Sequence, residues 1–369
     1  MPAAAATLDA CGQTLSGALT LSADLDCPDT FGVWIQGGGT LDLAGFTLTA
    51  QLGVTCRGEI APCLVVSSVP GDMIVGVGGK SGAHGIDAWS SLRVEHVTVS
   101  GFGGHGVNSH GRVTIEGSVV TNNQTRGVFA GGDIRISNST VSDNGGPGLD
   151  TNAMQKIAVS DPTISGSGTN GIEGAGIITL DGAIVTGNAG DGIAPEGMPG
   201  SPAKVNAKDS TIAANGGDGV DFLAADPLQV QGRLSAANST FDGNVGDGVR
   251  GAGRTRLKGG GAAGNGSAGV RTSSVDGCRV SLVVADVTGN GEYGAFLGDA
   301  EAPCPNGRFK AQRSTLVGND VSSDCGVTIA CADIAAATLP NVVGDSTCEH
   351  SYVAGSGLPG SSWGVCGLD

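Results

Sequence analysis

Short runs in which apolar and polar residues alternate follow one another along most of the chain, and these runs repeat. Between residues 98 and 295 one pattern returns nine times: a short apolar strand, a turn of small residues, and a glycine followed by an apolar residue. The glycine stands at positions 85, 106, 127 and 148, a constant step of 21 residues, and later steps lengthen to as many as 29. Alternation with a period of two predicts strands with one buried face. A repeat of this length made of short strands predicts one coil of a β-solenoid per repeat.

Small residues mark the corners between the predicted strands. Glycine accounts for 67 of the 369 residues and supplies the positive φ angles that such corners need. Asparagine recurs at one matching corner, and we interpret these side chains as an inward ladder that bonds turn backbone, with unrelated turn asparagines as the alternative. The asparagines concerned are Asn144, Asn188, Asn215, Asn244, Asn265, Asn290 and Asn319.

The charge balance excludes some classes of partner. The formal net charge is −16, from 35 acidic and 19 basic residues, and a nucleic-acid ligand requires a basic face instead. No apolar run approaches the ~20 residues of a membrane-spanning helix. No signal peptide precedes the repeats, because Met1 and Pro2 lead directly into Ala3. The chain is therefore expected to be either cytoplasmic or a mature form that has lost its targeting segment.

Ten cysteines favour the second of these alternatives. None stands in a CxxC or zinc-type spacing. We expect near neighbours to form structural disulfides in an oxidising compartment, with free buried thiols in a cytosolic protein as the alternative. The expected location is thus secreted, periplasmic or at the cell surface. The expected pairs are Cys11 with Cys27, Cys56 with Cys63, Cys278 with Cys304, Cys325 with Cys331, and Cys348 with Cys366.

Taken together, the repeat and two opening segments resemble the right-handed parallel β-helix proteins of the pectate lyase-like superfamily. The opening segments are CGQTLSGALTLSADLDC (11–27) and TLDLAGFTLTA (40–50), which resemble the first coils of exported bacterial β-helix proteins. The resemblance implies an all-β fold, a single-stranded right-handed parallel β-helix, for which we expect about 10–12 coils. We predict one domain over residues 1–369, with coils at 31–320 between disulfide-stapled caps at 1–30 and 321–369.

The constant step of 21 residues predicts which side chains stack, because each step advances one coil, or ~4.8 Å along the axis. A cluster of outward polar and aromatic side chains results between residues 84 and 173, close to a neighbouring sheet that carries Arg93, Thr114 and Arg135. Three stacks make up the cluster: His84, His105 and Arg126; Asp87, Asn108, Phe129, Asp150 and Glu173; and Trp89, His110 and Asn152.

Two kinds of sugar chemistry fit this cluster. A uronide lyase or epimerase needs a base, for which His110 or His105 is the candidate. It also needs a cation to neutralise the substrate carboxylate, for which the candidates are Arg135, Arg93 and Arg126. A retaining glycosidase instead needs two carboxyl groups ~5–5.5 Å apart, and Asp150 and Glu173 stand one coil apart.

The resemblance implies a polysaccharide or glycan as the partner, and we expect an extracellular polysaccharide-active enzyme, first a lyase or epimerase of an acidic polysaccharide and second a glycoside hydrolase. It assigns no catalytic residue, because the local catalytic motifs of pectate lyases, polygalacturonases and alginate epimerases are absent. A non-catalytic carbohydrate-binding or surface protein is the further alternative. The expected substrate-binding residues are Asp87, Trp89, Arg93, Asn108, Arg126 and Asn152.

A second group of charged residues lies further along the chain. Asp191, Asp218 and Asp247 stand in Gly-Asp-Gly triplets of consecutive coils, where they are either turn residues or calcium ligands. We expect no required cofactor, with calcium as the candidate ion. Basic residues follow these triplets and either receive an anionic glycan or balance nearby carboxylates. They are Arg250, Arg254, Arg256, Lys258 and Arg271.

Overall fold

The computed structural model confirms an all-β solenoid. It describes residues 6–58, 62–69, 71–78, 80–152, 154–198, 201–223, 232–272, 279–297 and 308–317, and the short strands at 342–343, 346–349 and 352–353. Over these residues the chain makes about 11 turns of parallel strands and contains no helix, in agreement with the expected fold. It follows that none of the described residues belongs to a helix that is long and apolar enough to cross a membrane.

The chain divides into two compact units, Met1–Ala175 (unit 1) and Gly176–Asp369 (unit 2). In each unit a strand pairs in parallel with the equivalent strand of the neighbouring coil, so that strands form three columns, called A, B and C in chain order. In unit 1, column A contains Ile86–Ala88, Val107–Ser109, Val128–Ala130, Leu149–Thr151 and Ile172–Gly174; column B contains Cys63–Val66, Leu92–Glu95, Val113–Glu116, Ile134–Ser137 and Lys156–Ser160; column C contains Met73–Gly76, Thr98–Ser100, Val119–Thr121, Thr140–Ser142 and Thr163–Ser165.

The first strands of unit 1 pair in parallel, and they begin inside the range 1–30 predicted as an N-terminal cap. Their apolar side chains, such as Leu19, Leu21 and Cys27, are buried in the same way as those of later coils. The coil pattern thus begins at Ala6, although the glycine and asparagine corners that reveal it from the sequence start much later. These strands are Ala6–Leu8, Gln13–Leu21, Leu25–Asp42 and Thr47–Arg57.

Unit 2 has the same three columns. Two of its strands, Gly232–Asp242 and Ala252–Gly261, continue around the corner from column B into column C. Three short strands inside the predicted C-terminal cap also pair in parallel with the preceding coil, and the rest of that range lies outside the described residues. Column A contains Ile193–Pro195, Val220–Asp221, Val249–Arg250, Val270–Thr272, Ala295–Leu297 and Val342–Val343; column B contains Ile177–Asp181, Lys204–Lys208, Gly232–Asp242, Ala252–Gly261, Arg279–Val283, Arg308–Gln312 and Ser346–Glu349; column C contains Ile184–Thr186, Thr211–Ala213, Asp286–Thr288, Thr315–Val317 and Tyr352–Val353.

The predicted asparagine ladder is present inside both units. Asn215 is fully buried; its Nδ2 donates to Oδ1 of Asn244 at 2.9 Å, and its backbone N–H donates to the same oxygen at 3.2 Å. Oδ1 of Asn215 accepts the equivalent pair of bonds from Asn188. The ladder therefore satisfies buried turn backbone while it links one coil to the next. Its described members are Asn123 and Asn144 in unit 1 and Asn188, Asn215, Asn244, Asn265 and Asn290 in unit 2, and the predicted member Asn319 lies outside the described residues.

Two of the five predicted disulfides are confirmed, Cys11–Cys27 and Cys56–Cys63. The other three predicted pairs lie wholly or partly outside the described residues, and of their members only Cys348 falls in a described strand. Disulfides are typical of proteins that fold in an oxidising compartment. The two bridges thus agree with the location expected from the cysteine count.

Replacement of a ladder asparagine should destabilise the fold. Asn215→Ala removes the acceptor for two donors of Asn188 inside the solenoid, and we expect it to lower the free energy of unfolding by about 1–3 kcal/mol. Asn206→Ala, at an exposed position of the adjoining strand, is the matched control and should cost much less. Urea denaturation measures both changes, and equal small losses would show that the ladder contributes nothing to stability.

The two disulfides can be tested directly. Protein denatured without reductant and treated with a thiol-alkylating reagent should carry no label on the four cysteines of the two bridges, because their sulfurs are already bonded. Peptide mass spectrometry identifies the labelled positions. Label on Cys56 or Cys63 in protein purified from an oxidising compartment would contradict the second bridge.

Candidate functional site

The glycine corner that precedes column A carries side chains that accept a backbone N–H from the next coil. In unit 1 the amide of His105 donates to Nδ1 of His84 at 2.9 Å, and the amide of Arg126 donates to Nδ1 of His105 at 3.4 Å. The hydroxyl of Thr125 lies 2.6 Å from the same Nδ1 of His105. Because an accepting Nδ1 carries no proton, each neutral ring holds its proton on Nε2. The predicted stacking of the two imidazoles is confirmed, with ring centroids 4.7 Å apart.

Burial favours the neutral form of both imidazoles. Burial lowers the pKa of His84, and the carboxylate of Asp87 opposes this shift. Burial, together with the neighbouring His84 and Arg126, lowers the pKa of His105 to about 4. The unprotonated nitrogen of His105 is already hydrogen-bonded within the fold, so His105 is better suited to donate a hydrogen bond from Nε2 than to act as the expected base.

An ion pair stands one coil beyond the stacked histidines. The guanidinium of Arg126 binds the carboxylate of Asp150 and lies 5.2 Å from the ring centroid of Phe129. The ring of His105 is 5.9 Å from the same phenyl ring. Asp150 is buried, and burial raises the pKa of its carboxyl group while Arg126 lowers it. Arg126 therefore holds Asp150 in place and favours its charged form.

The predicted stack in the middle of column A is confirmed by the strand register. Asp87, Asn108, Phe129, Asp150 and Glu173 are direct partners in consecutive coils. Nδ2 of Asn108 donates to the carboxylate of Asp87 at 2.7 Å, and Nδ2 of Asn170 donates to that of Glu173 at 3.3 Å. Asp150 and Glu173 consequently stand one coil apart on the same face, at the strand spacing of ~4.8 Å.

Aromatic side chains continue this face toward the N-terminus. The rings of Trp89 and His110 stack at 5.8 Å, as the sequence predicts. The guanidinium of Arg57 lies 4.1 Å from the ring centroid of Trp34 and 5.7 Å from that of Trp89. Trp34 and Arg57 are missing from the sequence-based cluster because the step from Val54 to its partner Ile86 is longer than the constant step above it. We call the stacked residues of this face, from Trp34 to Glu173, the site face.

Three predicted site residues are not gathered with the others. Arg93 and Arg135 both lie in column B, where Arg93 forms ion pairs with Glu95 and Glu116. Asn152 is exposed after the end of column A, with Nδ2 3.5 Å from the carbonyl of Gly131. The predicted combination of His110 as base and Arg135 as cation therefore draws its two members from different columns.

The aspartates of the Gly-Asp-Gly triplets occupy the same corner in unit 2 and perform the same structural task. Oδ1 of Asp191 accepts the backbone N–H of Asp218 at 2.7 Å, and Oδ1 of Asp218 accepts that of Asp247. Oδ1 of Asp247 accepts the N–H of Ala268 at 2.7 Å. These contacts support their interpretation as turn residues.

Two of these carboxylates also lie close to a third, that of Asp221. Single oxygens of Asp191, Asp218 and Asp221 lie within 4.8 Å of one another, whereas Asp247 is not a member of the group. Burial, together with the charge of Asp247, raises the pKa of Asp218 to about 7. Burial also raises the pKa of Asp221 to about 6. Carboxylate oxygens are the ligands that calcium prefers, and this trio is the place where the chain could hold that ion.

Two arginines of column A balance these carboxylates. Arg250 approaches Asp218 at 3.5 Å and Asp221 at 3.9 Å. Arg271 binds Asp247 at 2.8 Å and Glu292 at 2.7 Å, and these carboxylates keep its pKa above the ordinary arginine value although burial opposes them. For Arg250 and Arg271, the expectation that the basic residues neutralise nearby acids is confirmed.

The raised pKa of Asp218 predicts that a higher pH destabilises the fold. Between its ordinary pKa of 3.8 and its folded pKa of about 7, the folded protein holds a proton that the unfolded chain releases, so stability present at low pH is lost as the pH rises. Asp218→Asn keeps an acceptor for the Asp247 amide but does not titrate. Urea denaturation should show that the stability of the variant relative to the wild type rises between pH 5 and pH 8, by at most about 3 kcal/mol.

The matched control is Asp242→Asn, since Oδ1 of Asp242 accepts the Ala263 amide at 2.8 Å at a half-buried corner. This control should leave the difference between pH 5 and pH 8 unchanged. If the stability of Asp218→Asn relative to the wild type fell between pH 5 and pH 8, the raised pKa of Asp218 would be contradicted.

Comparison with known proteins agrees with this architecture. Residues 81–259, just under half of the 369 residues, match the sequence model of the family described as right handed beta helix region. No curated protein and no solved structure gives a significant match. Together with the parallel strand columns, the match identifies the fold as a right-handed parallel β-helix, and a more specific family is not identified.

Proposed function

We propose that the chain is an extracellular protein that binds a polysaccharide along the site face and acts on it. The observation that carries this proposal is the stack of aromatic, cationic and carboxylate side chains in consecutive coils from Trp34 to Glu173. The exposed part of the Trp89 ring, which lies against His110 and Arg57, offers apolar surface to a sugar, and the carboxylates and amides of the site face offer hydrogen bonds to sugar hydroxyls. The two disulfides support an extracellular location.

Glycoside hydrolysis is the chemistry that this face supports best. Asp150 and Glu173 lie in register one coil apart, near the ~5–5.5 Å separation of carboxyl groups in retaining glycosidases. Asp150, held by Arg126, is the candidate nucleophile, and the half-buried Glu173 is the candidate acid and base.

The reaction needs no group beyond these two carboxyls and water. Glu173 protonates the glycosidic oxygen as its bond to the anomeric carbon breaks, and a carboxylate oxygen of Asp150 bonds to that carbon. Glu173 then accepts a proton from water, whose oxygen displaces Asp150 and releases the sugar. Arg126 stabilises the Asp150 carboxylate that departs.

A lyase or epimerase acting on an acidic polysaccharide is the second candidate, and exposed His110 favours it. Its ring stacks on Trp89 at 5.8 Å, where a bound sugar would lie, and Arg57 on the other side of Trp89 is available for a uronate carboxylate. In this reaction His110 takes the proton next to the carboxylate, and the electrons of that C–H bond form a double bond. The bond to the leaving oxygen breaks as this oxygen receives a proton from water. An epimerase returns the proton to the opposite face.

Product analysis separates these two reactions. With polygalacturonate, alginate and a neutral glucan as substrates, hydrolysis yields new reducing ends without ultraviolet absorbance, whereas β-elimination adds absorbance from the new double bond. In the hydrolytic case Asp150→Asn and Glu173→Gln should each reduce kcat by on the order of 10²–10⁴-fold, and His110→Ala should have a mild effect. In the lyase case His110→Ala should be the severe variant.

The control is His96→Asn, since His96 is exposed outside the site face at a φ of 57°, which asparagine tolerates. Binding of glycans without either product would make the chain a non-catalytic binding protein. Activity that survives all three site substitutions would place the chemistry elsewhere in the molecule.

A further inference from the structure

Column B of unit 2 carries a cation at the same register position in five consecutive strands. Lys204 pairs in register with Arg233, Arg233 with Arg254, Arg254 with Arg279 and Arg279 with Arg308. The alternate residues of these strands, such as Val205 and Leu234, are buried, so the cations alternate with the core residues. The result is a straight row of basic positions along five consecutive coils, which we call the basic ladder.

Other basic residues flank the ladder on the same strands. Nine of the protein's 19 lysines and arginines lie on these five strands, although the formal net charge is −16. Eight of these nine side chains are exposed. Between the cations, Asn206 and Ser235 are exposed and Ser281 is half-buried. The nine basic residues are Lys204, Lys208, Arg233, Arg254, Arg256, Lys258, Arg279, Arg308 and Lys310.

Most of these cations have no carboxylate partner among the described residues. Lys208 alone takes part in ion pairs, with Asp181 and Asp209. Arg250 and Arg271 of column A, by contrast, are bound to buried aspartates. The basic residues that follow the Gly-Asp-Gly triplets in the sequence therefore fall into two groups. One group neutralises the protein's own acids, and the other faces solvent.

A row of like charges one coil apart repels itself. Adjacent members of the ladder are separated by about the strand spacing of ~4.8 Å, well inside the Debye length of ~8 Å at physiological salt, and like charges directly opposite each other on paired strands are destabilising. A linear polyanion along the solenoid axis would remove this repulsion and replace many small counterions.

We propose that the basic ladder binds a linear acidic polysaccharide whose chain runs along the coils. A uronate chain carries one carboxylate per sugar, and one sugar unit is about as long as the rise between two coils. Asn206, Ser235 and Ser281 supply hydrogen-bonding groups for sugar hydroxyls between the cations. A single-stranded nucleic acid is less suitable, because the outward positions of these described strands carry no aromatic ring on which bases could stack.

This surface is independent of the function proposed for unit 1. It uses none of the residues of the site face, and it requires binding only. If the protein had no hydrolase or lyase activity, the proposal for the basic ladder would be unaffected. If the basic ladder bound no polysaccharide, the proposal for the site face would be unaffected.

Two triple variants with equal net charge test the ladder. The first, Arg233→Gln with Arg254→Gln and Arg279→Gln, removes three ladder cations. The second, Lys80→Gln with Arg112→Gln and Lys156→Gln, removes three exposed cations of unit 1. Each changes the formal net charge from −16 to −16 − 3 = −19, so any difference between them reports position and not total charge.

The probe is polygalacturonate, with affinity measured over a series of sodium chloride concentrations. The ladder variant should bind on the order of tenfold more weakly than the wild type at low salt and should show a smaller salt dependence. The control variant should bind nearly as well as the wild type. Polygalacturonate should raise the Tm of the wild type and the control more than that of the ladder variant, since only a ligand of the folded state stabilises it.

Thermal unfolding without polymer checks that the ladder variant folds, and its Tm at low salt should equal or exceed that of the wild type. Three results would overturn the proposal: no binding of polygalacturonate by the wild type at low salt, equal weakening in both triple variants, or tighter binding of single-stranded DNA than of polygalacturonate at equal concentrations of charge.

Discussion

Parallel pairing in register is the interaction on which every other feature of this protein depends. A strand that bonds to its equivalent in the next coil brings each side chain beside the side chain of the corresponding position. One buried asparagine thereby becomes a ladder, and one outward cation becomes a row of cations. The energetic value of any residue is set by what stands one coil before and one coil after it.

The corner before column A shows how one structural task is carried out by different chemistry. His84 and His105 in unit 1, and Asp191 and Asp218 in unit 2, all use their δ atom to accept an amide of the following coil. The second polar atom of each side chain, Nε2 or Oδ2, is then the one left for ion pairs or ligands. A polar residue at this corner is therefore not by itself a sign of catalysis, and its remaining atom must be judged from its neighbours.

Regular spacing decided how much of the site could be predicted from the sequence. After Gly85 in the sequence the constant step gives the right partners for Asp87, Trp89 and Asp150, and the structure confirms each stack. Before Gly85 in the sequence the step between coils is irregular, so Arg57 and Trp34 could not be aligned with Trp89. Spacing also could not show where long side chains reach: Arg126 turns to Asp150 and Arg271 to Asp247, whereas Arg254 stays in solvent. Such choices depend on burial and on local charge, which a periodic pattern does not contain.

The equal step of the coils between Gly85 and Gly148 has a consequence for how this protein can change in evolution. Gain or loss of one whole 21-residue coil in this stretch would leave the buried ladder and all three columns in register, since each coil meets only its neighbours. Insertion of a single residue in a strand would instead reverse which side chains face the core. Duplication of coils can thus lengthen a binding surface by one sugar-sized increment at a time, with no new fold to be found at any stage.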